Sequence, residues 1–144
     1  MEKLSSDFEN ELNEIVELAK ANRSEDWEII DRKLPQLSNS EIFLNWARGN
    51  LGNEDSGLRD LAASVLENAN CNLNSTDISA LKRLMQESDG NPYPSFRAAC
   101  ALAKRSDNPE IKGFIEEIRN KLQQFAEDEG VADLAKNYLE RLKN

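Results

Sequence analysis

Gly57-Leu-Arg-Asp-Leu-Ala-Ala-Ser-Val-Leu-Glu67 returns 73 residues later as Gly130-Val-Ala-Asp-Leu-Ala-Lys-Asn-Tyr-Leu-Glu140. Gly57, Asp60, Leu61, Ala62, Leu66 and Glu67 recur as Gly130, Asp133, Leu134, Ala135, Leu139 and Glu140, and upstream Asp55 recurs as Asp128. Between the two copies, Phe96-Arg-Ala-Ala-Cys-Ala-Leu-Ala103 repeats the theme. Phe96 and Arg97 match Leu58 and Arg59 at an offset of 38, Cys100 and Ala101 match Ala62 and Ala63, and Phe96 lies 35 residues before Val131. A period of 35–38 residues is the length of a helix pair, a unit too small to bury its apolar face alone. Small residues at Ala62, Ala63, Cys100, Ala101 and Ala135 let neighbouring helices approach, while Leu61, Val65, Leu66, Leu134, Tyr138 and Leu139 fill the layer between them.

Working outward, the whole chain reads as helix. Phe8, Leu12, Ile15, Val16 and Ala19 fall at i, i+4, i+7, i+8 and i+11, one stripe of an amphipathic helix. A second helix starts near Ser24, carries Trp27, Ile30 and Leu34, and stops or kinks at Pro35. Ser38 and Glu41 have capping-box spacing and start a third helix with Ile42, Phe43 and Trp46, which Gly49 and Gly52 end. A fourth runs from about Ser56 to Ala69, and a fifth follows the Asn-Ser-Thr-Asp cluster at 74–77. Asp89-Gly-Asn-Pro-Tyr-Pro94 is a turn before a sixth helix at about 95–106. Asn108-Pro109 opens a seventh holding Ile111, Phe114, Ile115, Ile118, Leu122 and Phe125, and an eighth spans about Val131 to Leu142. No segment alternates like a strand. The expected architecture is an all-α solenoid, about four antiparallel pairs made from eight helices. It forms a single domain over 1–144, with clear repeats over about 55–142 and a degenerate N-terminal cap over 1–50.

At these positions the chain resembles HEAT-like repeats, the family that includes the short repeats of the phycobilisome-lyase type. The family pattern is a turn acid followed by apolar-Arg-x-x-Ala-Ala. Here it reads Asp55…Leu58-Arg59-x-x-Ala62-Ala63 and Asp89…Phe96-Arg97-x-x-Cys100-Ala101. In the last copy Ala132 replaces the arginine. The resemblance implies an α-solenoid used for protein–protein contacts. It also implies that Arg59 and Arg97 brace turns, bonding acids such as Asp55 and Asp89 or backbone carbonyls.

Composition narrows the function. Histidine is absent from the 144 residues, which removes His triads, His acid–base pairs and His metal sites. Two cysteines cannot form a disulfide framework or a four-thiolate zinc site. Cys100 falls on a packed helix face, and Cys71 in a polar loop reads as a surface thiol. No phosphate loop, EF-hand loop or dinucleotide fingerprint occurs. Trp27 and Trp46 fall on apolar stripes and read as core. The expectation is therefore a non-enzyme without catalytic residues, cofactor or metal. No apolar run approaches membrane-spanning length, and the acidic N-terminus MEKLSSDFENELNEI has neither part of a signal peptide, so a cytoplasmic protein is expected.

The charge is acidic and uneven. Residues 1–72 carry 15 acids and 7 bases, net −8, while residues 73–144 carry 12 acids and 11 bases, net −1. Acidic chains repel phosphate backbones, which disfavours nucleic acid. In a HEAT-like array the second helix of each pair lines the concave side. Its candidate partner-binding residues here are Asp60, Ser64, Glu67, Ala101, Arg105, Asp133, Asn137 and Glu140. The expected function is a protein-binding or scaffold module whose concave face takes a basic peptide or protein. The alternative is HEAT-like recognition of nucleic acid or a modified base, which needs basic residues gathered in one groove. Arg83, Arg97, Lys104, Arg105, Lys112, Arg119 and Lys121 are the candidates.

Overall fold

Helices form in each expected segment, and one of those segments is divided in two. The computed structural model describes residues 5–21, 23–87 and 90–142, which form nine helices and no strand. Packing groups the chain into two compact units, Met1–Cys71 and Asn72–Asn144.

The first unit contains α1 (Ser5–Ala21), α2 (Ser24–Leu37), α3 (Glu41–Asn50) and α4 (Ser56–Asn68). Its consecutive pairs pack, α1 on α2 and α3 on α4, and α4 also meets α1 and α2. Leu12, Ile15 and Ala19 of α1, Ile30, Leu34 and Leu37 of α2, and Phe43 and Ala47 of α3 face the core. On α4 every residue from Gly57 to Glu67 is buried. Pro35 does not end α2, which continues to Leu37. The ring lies on the exposed face, so the carbonyl that loses its helical donor is on the solvent side. The extra turn absorbs Ser38 as the C-cap of α2, and Ser40 rather than Ser38 caps α3, accepting from the Phe43 amide at 3.2 Å.

The α3–α4 turn is held from two sides. The Asp55 carboxylate caps α4 by accepting from the Leu58 amide at 3.2 Å. Arg59 Nη1 donates to the carbonyls of Asn53 at 2.7 Å and Glu54 at 3.1 Å. Arg59 thus bonds turn carbonyls, one of the two roles expected of it, while Asp55 serves as a cap. Asp89, the expected partner of Arg97, lies outside the described residues.

The second unit contains α5 (Ser75–Met85), α6 (Tyr93–Ala103), α7 (Pro109–Lys112), α8 (Ile115–Gln124) and α9 (Ala132–Arg141). Here α5 packs on α6 and α8 on α9, while α6 also meets α8 and α9. A capping box starts α5: the Asp77 amide donates to Asn74 Oδ1 at 2.8 Å, and the Asn74 amide to Asp77 Oδ2 at 3.2 Å. The single helix expected from Pro109 to Phe125 is two. Gly113, a weak helix former, precedes Phe114, which leaves helical geometry with φ −134° and ψ 32°. The Phe114 ring lies under the Lys82 ammonium, 4.7 Å from its centre. On α6 the Phe96 ring stacks on Phe125 at 4.6 Å, and Phe125 also meets Tyr93. The Tyr93 hydroxyl reaches Asp128 at 3.3 Å, tying the α8–α9 loop to the start of α6.

Leu58 and Phe96 are both buried in the first turns of their helices, but Val131 is a half-exposed N-cap of α9. The cause is the number of neighbours. Helix α4 is packed by α1, α2 and α3, whereas α9 leans on α6 and α8 and turns its remaining side to solvent.

Candidate functional site

The eight residues expected to line one recurring row separate sharply by environment. Asp60, Ser64 and Glu67 stand at i, i+4 and i+7 on α4 and are only 6%, 0% and 8% exposed. Ser64 Oγ donates to Asp60 Oδ1 at 3.2 Å. Helix α4 is covered along its whole length, so these three groups are interior polar groups and offer no partner a surface. Ala101 is likewise fully buried on α6. This corrects the expectation of four exposed contact residues. A local sequence pattern fixes which face of a helix a residue occupies but not how many neighbours cover that face.

Their counterparts in the second unit remain outside. Asp133, Asn137 and Glu140 form an exposed row along α9. Arg105, half-buried in the turn after α6, donates Nη1 to the Ala101 carbonyl at 3.0 Å. Arg141 Nη2 reaches the Lys104 carbonyl at 3.4 Å, which brings the C-terminal end of α9 to the turn that carries Arg105. The surviving surface of the expected site is therefore one face of α9 plus Arg105, with Lys136 and Arg141 beside the acids. Its charge is mixed rather than acidic.

The strongest charge asymmetry coincides with the division into units. The first unit carries the 15 acids and 7 bases of the N-terminal half, and the second carries the near-neutral remainder. Helix α1 turns Leu12, Ile15 and Ala19 inward and presents Glu9, Glu14 and Glu17 outward. Lys20 pairs with Glu17 at 3.7 Å. Glu25 and Glu28 are exposed on α2. Asp26 instead is buried and accepts from Arg23 Nε at 2.7 Å. That hydrogen bond, with the Asp26 charge, raises the Arg23 guanidinium above its ordinary value. The α1 carboxylates lie off the apolar stripe in sequence, whereas the recurring segments direct attention to the repeat helices.

The remaining candidates bring no chemistry together. Trp27 and Trp46 are half-buried rather than core. Cys100 is buried and Cys71 half-exposed. Among the described residues no group of three or more Cys, Asp or Glu side chains is placed to hold a metal ion, and no helix is long and apolar enough to cross a membrane. The basic candidates are spread over α5 to α8. Arg119 is occupied by Glu116 and by the Leu142 carbonyl, so these side chains make no single basic groove. Comparison with known proteins finds no matching family model, no similar curated protein and no similar solved structure.

Proposed function

We propose that this protein is a non-catalytic, HEAT-like helical module that binds a protein or peptide with a basic surface in the cytoplasm. The observation that supports this reading is the outward carboxylate face of α1, Glu9, Glu14 and Glu17, in a unit of net charge −8. Glu9 to Glu17 spans about 12 Å of this 17-residue helix, and the three carboxylates spread over its outward side. Exposed charges of this kind steer a basic partner and set its on-rate, and their effect fades with salt. The α9 row of Asp133, Asn137 and Glu140, with Arg105, is the second surface available to a partner.

The test is affinity capture from extract of the source cells at low and high ionic strength. The wild-type chain is compared with a Glu9→Lys/Glu14→Lys/Glu17→Lys variant whose helicity is checked by circular dichroism. The reading expects a basic protein held by the wild type at low salt and lost in the variant. If both chains retain the same proteins, the α1 acids are solvated decoration. If the wild type instead retards duplex DNA at physiological salt, nucleic-acid recognition takes its place.

A further inference from the structure

The outer face of helix α5 carries a shallow depression, with hydroxyl and charged groups along it, that the α1 surface does not account for. It is an open depression of about 320 Å³ lined by Ser75, Thr76, Ser79, Ala80 and Arg83. Ser75, Thr76, Ser79 and Arg83 are exposed. The opposite side of the helix, Ile78, Leu81, Leu84 and Met85, is buried. The groove is polarised. At one end Ser75 Oγ donates to Glu110 Oε1 at 2.6 Å, which places a carboxylate at the rim. At the other end stands Arg83, and among the described residues nothing pairs with its guanidinium. Its neighbour Lys82 is turned away over the Phe114 ring. Between the ends, the Thr76 and Ser79 hydroxyls also take no partner among the described residues. Ser75 and Arg83 are eight residues apart, about 12 Å along the helix. An extended chain covers that distance in about four residues.

We propose that this groove takes an extended peptide segment of the partner, with a carboxylate on Arg83 and a lysine or arginine four residues away at Glu110. The inference rests on the protein-binding reading and specifies a second contact of that partner. The two hydroxyls, each able to donate and accept, suit the backbone amides and carbonyls of the intervening residues. A segment carrying two like charges would place one of them against a like charge at the rim.

The test is a titration of the full-length, nitrogen-15-labelled protein with the capped pentapeptide Lys-Gly-Ser-Gly-Glu, read by amide chemical shifts. The same titration is run with peptides carrying lysine at both ends or glutamate at both ends. The mixed-charge peptide should shift the amides of residues 75–86 saturably, with a Kd on the order of millimolar for so short a ligand. Arg83→Gln should weaken it about three-fold, the scale of one exposed ion pair. Equal shifts from the like-charged peptides, no saturable shift from any of them, or an unchanged affinity in a helical Arg83→Gln chain would each overturn the inference. The α1 triple reversal leaves this groove intact, so failure here and failure of the proposed function are read from different experiments.

Discussion

A side chain on Gly57 would collide with the Ala19 carbonyl: an added Cβ falls 3.1 Å from the Ala19 carbonyl carbon and closer still to its oxygen. Helices α1 and α4 cross there with backbone against side, and only hydrogen fits. Gly57→Ala should therefore destabilise the protein by about 1–3 kcal/mol, as overpacking does. At Gly130 the same atom would meet only Asp128 Oδ1 at 3.4 Å, so Gly130→Ala should stay within about 0.5 kcal/mol of wild type. Urea unfolding of both variants checks the contrast, and equal losses would show the two glycines to be equivalent.

Acid reversals should sort by burial rather than by repeat position. Asp60→Lys places a cation inside a covered helix and should cost about 3–5 kcal/mol or prevent folding. Asp133→Lys, on the exposed face of α9, should change stability by less than about 0.5 kcal/mol. Thermal melts followed by circular dichroism distinguish them.

Ser38 offers a stabilising change. Its residue is fully buried, and among the described residues its Oγ meets no hydrogen-bond partner. Ser38→Ala removes an unsatisfied hydroxyl and should leave stability unchanged or raise it by about 1 kcal/mol. A loss greater than that in urea unfolding would mean the hydroxyl is bonded in solution.

Arg59→Ala deletes both bonds that clamp the α3–α4 turn and strands the Asn53 and Glu54 carbonyls. A loss of about 2–3 kcal/mol is expected, with Arg59→Lys recovering part of it, since charged donors contribute more than neutral ones. Hydrogen exchange should quicken first at the α4 N-terminus. Uniform loss across the unit would argue against a local clamp.

How much of this was legible follows from what sequence encodes locally. The period of the apolar residues specified each helix, and Leu12, Ile15 and Ala19 are buried as that stripe requires. Turn chemistry was read to within a few residues and failed where an exposed proline was tolerated at Pro35 and where one glycine split a long pattern at Gly113. The partner surface failed for a different reason. Asp60 and Asp133 occupy matching sites in segments that share six of eleven residues, yet one is inside and one outside, because burial depends on which other helices arrive.

The α1–α4 crossing also has a temporal side. Leu12, Ile15 and Ala19 emerge from the ribosome long before α4, whose last residue, Asn68, lies 47 residues beyond Ala21. At about 5–20 residues per second, that is a delay of roughly 2–10 s. Throughout it, only α2 and α3 can cover the apolar stripe of α1, so part of the nascent first unit's apolar surface stays open to water. Once α4 arrives, the stripe closes over a glycine.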